Sequence, residues 1–148
     1  MVNLIKTEYL SDELKDTVSD KPIAVEPETP MKEVFQLMKR EKSDYILVVH
    51  DDWIVGILTE KDILRIGSKE EDFTEQPVKK YMSKNPETLE GESPVAAAIY
   101  LMLQGGYRHM PLVDGSGKPF AVFTSHDLIE SLVAYYDRSS PESTSRED

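Results

Sequence analysis

Apolar residues recur at Met31, Val34, Phe35 and Met38, the three-and-four spacing of one helical face. The same spacing returns at Val95, Ala98, Ile99 and Met102. Ahead of the first helix, Ile23-Ala24-Val25 is a short apolar run after Pro22 and predicts a strand. After it, Tyr45 to Val49 and Trp53 to Leu58 are apolar runs joined by Asp51-Asp52, which predicts a hairpin. A second helix starts at Thr59, with Ile63, Leu64 and Ile66 apolar. The later half repeats the series. Ser93-Pro94 takes the place of Thr29-Pro30, each pair predicting an N-cap followed by Pro at the first helical position. Gly105-Gly106 ends the helix, the hairpin turn is Asp114-Gly115-Ser116-Gly117, and Leu128, Ile129, Leu132 and Val133 line the closing helix.

The two halves are copies. A shift of 64 places Pro22 on Pro86, Glu28 on Glu92, Pro30 on Pro94, Leu37-Met38 on Leu101-Met102 and Val49 on Val113. The longer second turn makes the shift 65, which places Thr59 on Thr124 and Asp62 on Asp127. Two copies fall short of a solenoid, so each is expected to cover the apolar face of the other. The fold expected is α+β: two β-α-β-β-α repeats packed through their sheets as a pseudo-twofold pair. Residues 14–67 and 78–136 are the repeats and 68–77 a polar linker. Residues 1–13 form a leading segment in which Ser11 would cap a short helix carrying Tyr9, Leu10 and Leu14. The tail, 137–148, is nearly all Ser, Pro and charge, a composition expected to stay disordered.

Composition narrows the functions. A formal net charge of −11 disfavours nucleic acid, which calls for a basic stripe, and a polybasic contact with lipid. The absence of cysteine among 148 residues excludes disulfides, thiolate metal ligands and a cysteine nucleophile, and fits a cytoplasmic setting. The start lacks the apolar core of a signal peptide, and Val95 to Leu103 is far short of the ~20 residues that span a bilayer.

The sharpest local signal is a strand running into Thr-x-x-Asp, at Gly56 to Asp62 and at Ala121 to Asp127. Free N–H groups at a helix start suit a phosphate, and an acid one turn on suits the two hydroxyls of a ribose. Thr-x-x-Asp is also close to a capping box, with Thr at the cap and the acid three residues on. The two roles are compatible.

Three stretches carry a family resemblance: Val78-Lys79-Lys80-Tyr81-Met82-Ser83-Lys84-Asn85-Pro86, Met110-Pro111-Leu112-Val113-Asp114, and Gly56-x-x-Thr59-x-x-Asp62. The chain resembles the cystathionine β-synthase (CBS) domain family from about Leu14 to Tyr136. The resemblance implies a paired module of two such domains, often a disc-like homodimer, that binds an adenosine-containing ligand: AMP, ADP, ATP, S-adenosylmethionine, NAD or cyclic di-AMP. It implies a regulatory role with no catalytic residues and no cofactor beyond that ligand. The partner to which the signal passes is an unidentified protein.

The resemblance also implies clefts built across the copies. In one, Thr59 and Asp62 would face Glu87, Thr88, His109 and Met110, with Arg108 the best phosphate candidate beside them. In the other, Thr124 and Asp127 would face Ile23, Ala24, Asp44 and Tyr45. Asp44 stands where the second copy has Arg108, and Ala121 where the first has Gly56, so the clefts are not equivalent. The first is the better candidate, and a scaffold with vestigial clefts is the alternative. His126 and Lys61 sit inside the helix starts and are expected in solvent, although both could reach an anion there. His50 with Asp51-Asp52 invites a metal, although hairpin tips are commonly Asp-rich for turn reasons. Trp53 is expected to pack at the hairpin, and Tyr135-Tyr136 to close the module or meet a partner. Ser125-His126-Asp127 is not a catalytic set, since adjacent helical residues face apart. No phosphate-binding Gly-rich motif is present.

Overall fold

A computed structural model describes residues 8–18, 21–69 and 71–139. Besides the helical residues 8–10 they form seven strands and four α-helices: β1 (Ala24–Val25), α1 (Met31–Glu41), β2 (Tyr45–His50), β3 (Trp53–Thr59), α2 (Glu60–Gly67), β4 (Ser83–Lys84), β5 (Leu89–Glu90), α3 (Val95–Gly105), β6 (His109–Val113), β7 (Pro119–Thr124) and α4 (Ser125–Ser139). Each repeat is β-α-β-β-α, as its hydrophobic periods require. Two 3-10 turns, Leu14–Asp16 and Val78–Lys80, stand ahead of the repeats.

The compact units are not the sequence repeats. Among the described residues, one unit holds 21–69, 71–87 and 114–120, the other 8–18, 88–113 and 121–139. The repeats have exchanged their opening segments. In the first unit the sheet order is β1-β2-β3-β4, with β4 from beyond the linker pairing antiparallel to β3. Val78 is fully buried there with Met31, Val34, Ile46, Val48 and Leu58. In the second unit the order is β5-β6-β7, and Leu14 is fully buried with Val95, Ala98, Met110, Leu112 and Phe123.

The backbone bonds that hold the exchange repeat at the shift of 64. Val78 N–H donates to Thr29 O at 2.8 Å, and Leu14 N–H to Ser93 O at 2.9 Å. Lys79 N–H donates to Pro27 O at 3.1 Å, and Lys15 N–H to Gly91 O at 2.9 Å. At the helix starts, Met31 N–H donates to Gln76 O and Val95 N–H to Asp12 O, both at 2.9 Å. This corrects the expected caps. The helices begin one residue later, at Met31 and Val95, with Pro30 and Pro94 at the cap and no side-chain cap bond. The segment ahead of each exchanged 3-10 turn supplies carbonyls to the orphan N–H groups, which a side chain would otherwise have to satisfy. The linker 68–77 is therefore structural: Thr74 O also accepts from Lys32 N–H, and Phe73 meets the Phe35 ring edge-on at 5.5 Å.

Turn chemistry accounts for several other details. Gly106 takes φ 68° after α3 as expected of a Gly cap, and Lys42 takes φ 53° at the matching place after α1. Asp51 and Asp52 both have positive φ, the geometry of a two-residue hairpin turn. Trp53 is 60% exposed and lies against Gly117, where an added Cβ would meet its ring at 2.7 Å. Ser11 does not open a helix. Residues 8–10 are already helical, and its hydroxyl donates back to Glu8 O at 2.8 Å. That segment is fastened to α4: Tyr9 Oη lies 2.5 Å from Ser131 Oγ, and Tyr135 donates to the Glu8 carboxylate. Burial pushes the Tyr9 hydroxyl up, and the bond to Glu8 pushes Tyr135 up to about 12. α4 runs through Ser139, past the expected boundary at 136, with Arg138 5.5 Å from the Tyr135 ring. Residues 140–148 of the expected tail lie outside the described residues.

Candidate functional site

Both Thr-x-x-Asp motifs sit where the last long strand of a repeat passes into its last helix. A strand leaves the chain extended at Thr59, φ −126° and ψ 175°, and the helix follows at once. The acid then lies one turn on and reaches back. Thr59 N–H donates to Asp62 Oδ2 at 3.0 Å, and Thr124 N–H to Asp127 Oδ2 at 2.9 Å. Asp127 N–H returns a bond to Thr124 Oγ1 at 3.1 Å. The capping role is thus real in both copies.

The second oxygen of each acid separates the copies. Asp62 is 3% exposed. Its Oδ1 accepts from Ser83 Oγ at 2.9 Å and lies 3.6 Å from the Arg65 guanidinium. Asp127 is half-buried, and its Oδ1 has no partner among the described residues. Arg65 maps onto Glu130, whose carboxylate is paired instead with His126 Nε2 at 3.0 Å. Ser83 was not foreseen as a site residue. Its signal was present in the shift of 64, which places Ser19 on Ser83; Ser19 lies outside the described residues.

Within each unit the motif stands beside strand starts of its own copy. Tyr45 is the register partner of Thr59, and Ile23 N-terminal to β1 offers its carbonyl to Leu47 N–H at 3.0 Å. Ala24 and Asp44 are exposed, Ile23 and Tyr45 half-buried. In the second unit Arg108 O accepts from Ser125 N–H at 3.0 Å, which ties the strand start to the start of α4. The Arg108 side chain is exposed, while His109 is 6% exposed. Met110 is fully buried in the core with Phe123. Glu87 is exposed and Thr88 half-buried.

Gly56 has a reason other than a ligand. A Cβ there would lie 2.3 Å from Met82 Sδ and 3.0 Å from Ser83 O, so glycine admits the exchanged segment. His50 faces carboxylates, Nδ1 3.3 Å from Glu26 and Nε2 3.4 Å from Asp51, and no cluster able to hold a metal occurs among the described residues. No helix among the described residues is long and apolar enough to cross a membrane.

The family model for the CBS domain matches twice, at residues 14–69 and 78–134. A 17.7 kDa protein of Acidianus ambivalens is 27% identical over 125 residues, which is 84% of this chain and 75% of that one. A CBS domain-containing protein of Arabidopsis thaliana is 31% identical over 121 residues, 80% of this chain but 22% of that protein. Among solved structures, a CBS domain protein of Pyrobaculum aerophilum complexed with AMP superposes with a TM-score of 0.74 at 18% identity, over 83% of this chain and 99% of that one. Two matched segments covering most of the chain, on a fold with two sheets and the matching element order, place it in the CBS domain family, as a pair of CBS domains in one chain.

Proposed function

We propose that the chain is a regulatory module that binds an adenosine-containing ligand and, as a homodimer, passes the binding event to a partner protein. The observation that carries this is the duplicated motif: in both copies a strand ends on Thr, and the Asp one turn on is fixed by that Thr's N–H, at 3.0 and 2.9 Å. A carboxylate so oriented accepts the paired hydroxyls of a ribose while its other oxygen keeps the helix capped. The Pyrobaculum relative, complexed with AMP, supports the ligand class.

The two acids would differ in use. Asp127 has an oxygen to offer at once. Asp62 has to release Ser83 before it accepts from a ribose. Ligand therefore enters first at Asp127 and Thr124. The motif at Thr59 and Asp62 fills afterwards. This reverses the order expected from Arg108 alone. Binding stabilises the folded pair by mass action and biases it through differential affinity for two states.

Calorimetry with AMP, ADP, ATP, S-adenosylmethionine, NAD and cyclic di-AMP tests this. At least one is expected to bind, and Asp127→Ala is expected to remove the first site. No heat from any of them sinks the proposal, and turnover of ATP or AMP by pure protein would replace it with an enzyme. The closure of Asp62 favours one rival, an interaction module with unused clefts, which predicts no ligand-dependent shift in melting temperature.

A further inference from the structure

We propose that two copies of this chain meet through α3 and α4 alone, second repeat against second repeat about a twofold axis, leaving α1 and α2 outside the contact. The inference rests on the homodimer proposed above and adds which faces meet.

The duplication supplies its own control. Tyr100 and Leu103 on α3 are 62% and 78% exposed. On α4, Ile129, Leu132, Val133 and Tyr136 are 45–62% exposed at the spacing of one helical stripe. The inward faces of the same helices already pack into one core, through Ala98, Met102, Leu128 and Tyr135. The fold does not demand the outward apolar residues. At the shift of 64, Tyr100 and Leu103 fall on Gln36 and Lys39, exposed on an α1 of the same 11-residue length. α2 stops at Gly67, the exposed counterpart of Leu132, whereas α4 continues for about two more turns, and those turns carry Val133 and Tyr136. The counterparts of these two are Ser68 and Glu71, both exposed. One first-repeat position does match: Leu64, at 75% exposure, is the counterpart of Ile129.

Charge identifies the occupant as a second copy. A chain with a formal net charge of −11 repels its own copy across most of its surface. α3 contains no charged residue. A twofold contact sets a patch against itself, and an uncharged apolar patch is self-complementary where an acidic one is not. A head-to-tail contact would instead bring Leu103 towards a face holding Lys39, which would lose water without gaining a partner. Tyr100 and Tyr136, each 62% exposed, would each bury about 90–155 Å², the exposed share of the roughly 150–250 Å² that an aromatic side chain buries. With the four aliphatic chains the stripes approach the roughly 800 Å² that each partner gives to a standard interface.

Light scattering and sedimentation on four variants test it, with circular dichroism as the check on folding. Leu103→Lys and Ile129→Lys replace exposed side chains and are expected to keep the fold. Each should raise the dimer dissociation constant by roughly 100-fold or more, the effect of a charge buried without a partner. The matched first-repeat variants Gln36→Lys and Leu64→Lys should leave the dimer unchanged. A dimer weakened by Leu64→Lys, or unmoved by both second-repeat variants, overturns the assignment of faces and leaves the homodimer standing. An unaltered chain that stays monomeric at high concentration overturns both, and would give the stripes to a segment of the same chain or to an unlike partner.

Discussion

The exchange of opening segments makes a prediction that sequence order would invert. Leu14 opens the first family match, yet it is fully buried in the core built from the second repeat, beside Val95, Met110, Leu112 and Phe123. Val78 opens the second match and is fully buried in the core of the first. Leu14→Ala deletes three buried carbons and leaves a cavity, at a cost of about 2–5 kcal/mol. Val78→Ala removes two, about 1.6 kcal/mol by transfer with a cavity contribution added. The loss should be local to the unit that holds the side chain, because native structures open regionally. Hydrogen exchange read by mass spectrometry checks this. In Leu14→Ala, amides of α3, β6 and α4 should exchange about 100-fold faster, roughly 3 kcal/mol at 1.4 kcal/mol per tenfold, while α1 and β2 hold. In Val78→Ala the pattern should reverse. Loss of protection in α1 and β2 on changing Leu14, or an equal loss in both units, would refute the argument.

Three further outcomes follow from local geometry. Gly56→Ala should lower stability by roughly 1–3 kcal/mol in a denaturant melt; the Met82 side chain can shift from the new Cβ, but Ser83 O, 3.0 Å away and in the strand pairing, has less freedom. Lys42→Gly should raise stability by up to ~1 kcal/mol, since Lys42 holds φ 53° where the second repeat has Gly106. The carboxyls of Asp72 and Asp114 are held below the usual range, first by the Thr74 and Ser116 hydroxyls. A depressed folded value means their contribution is complete above the unfolded value near 3.8 and fades as pH falls through the folded one. Asp114→Asn should therefore flatten the acid limb of melting temperature against pH below about pH 4, and an unchanged limb counts against the turn.

Much of the fold was legible because repetition and period are carried by composition alone. Helical spacing at Met31–Met38 and Val95–Met102, hairpin turns at Asp51 and Asp114, and the Gly106 cap all follow from residues close in sequence. The exchange was not legible, because it depends on which apolar face a short segment finds. Leu14 and Val78 look alike in a hydrophobic pattern, and each suits either core. The caps were misplaced for the same reason: Thr29-Pro30 and Ser93-Pro94 carry the local signature of a side-chain cap, but carbonyls of Gln76 and Asp12, distant in sequence, reach the same N–H groups first.

The candidate site shows the limit more sharply. Thr-x-x-Asp was found from sequence twice over, and both motifs adopt one cap geometry. What distinguishes them lies outside the motif. Ser83 reaches Asp62 only because β4 has crossed into the first unit, and Gly56 is glycine because that same crossing brings Met82 and Ser83 over β3. Arg65 and Glu130, one turn beyond the acids, were readable at the shift of 65 as opposite charges, and they point the same way as the structure does. Asp62 thus belongs first to the exchanged segment, and a ligand hydroxyl arriving there competes with a serine that also holds β4 in place. Occupancy of the Asp62 site is coupled to the seating of Ser83. Ser83→Ala should then tighten binding at Asp62 while loosening β4, two effects of opposite sign from one hydroxyl, separable by calorimetry and by hydrogen exchange at residues 83–84. Weaker binding together with a looser β4 would show instead that Ser83 orients Asp62 for the ligand.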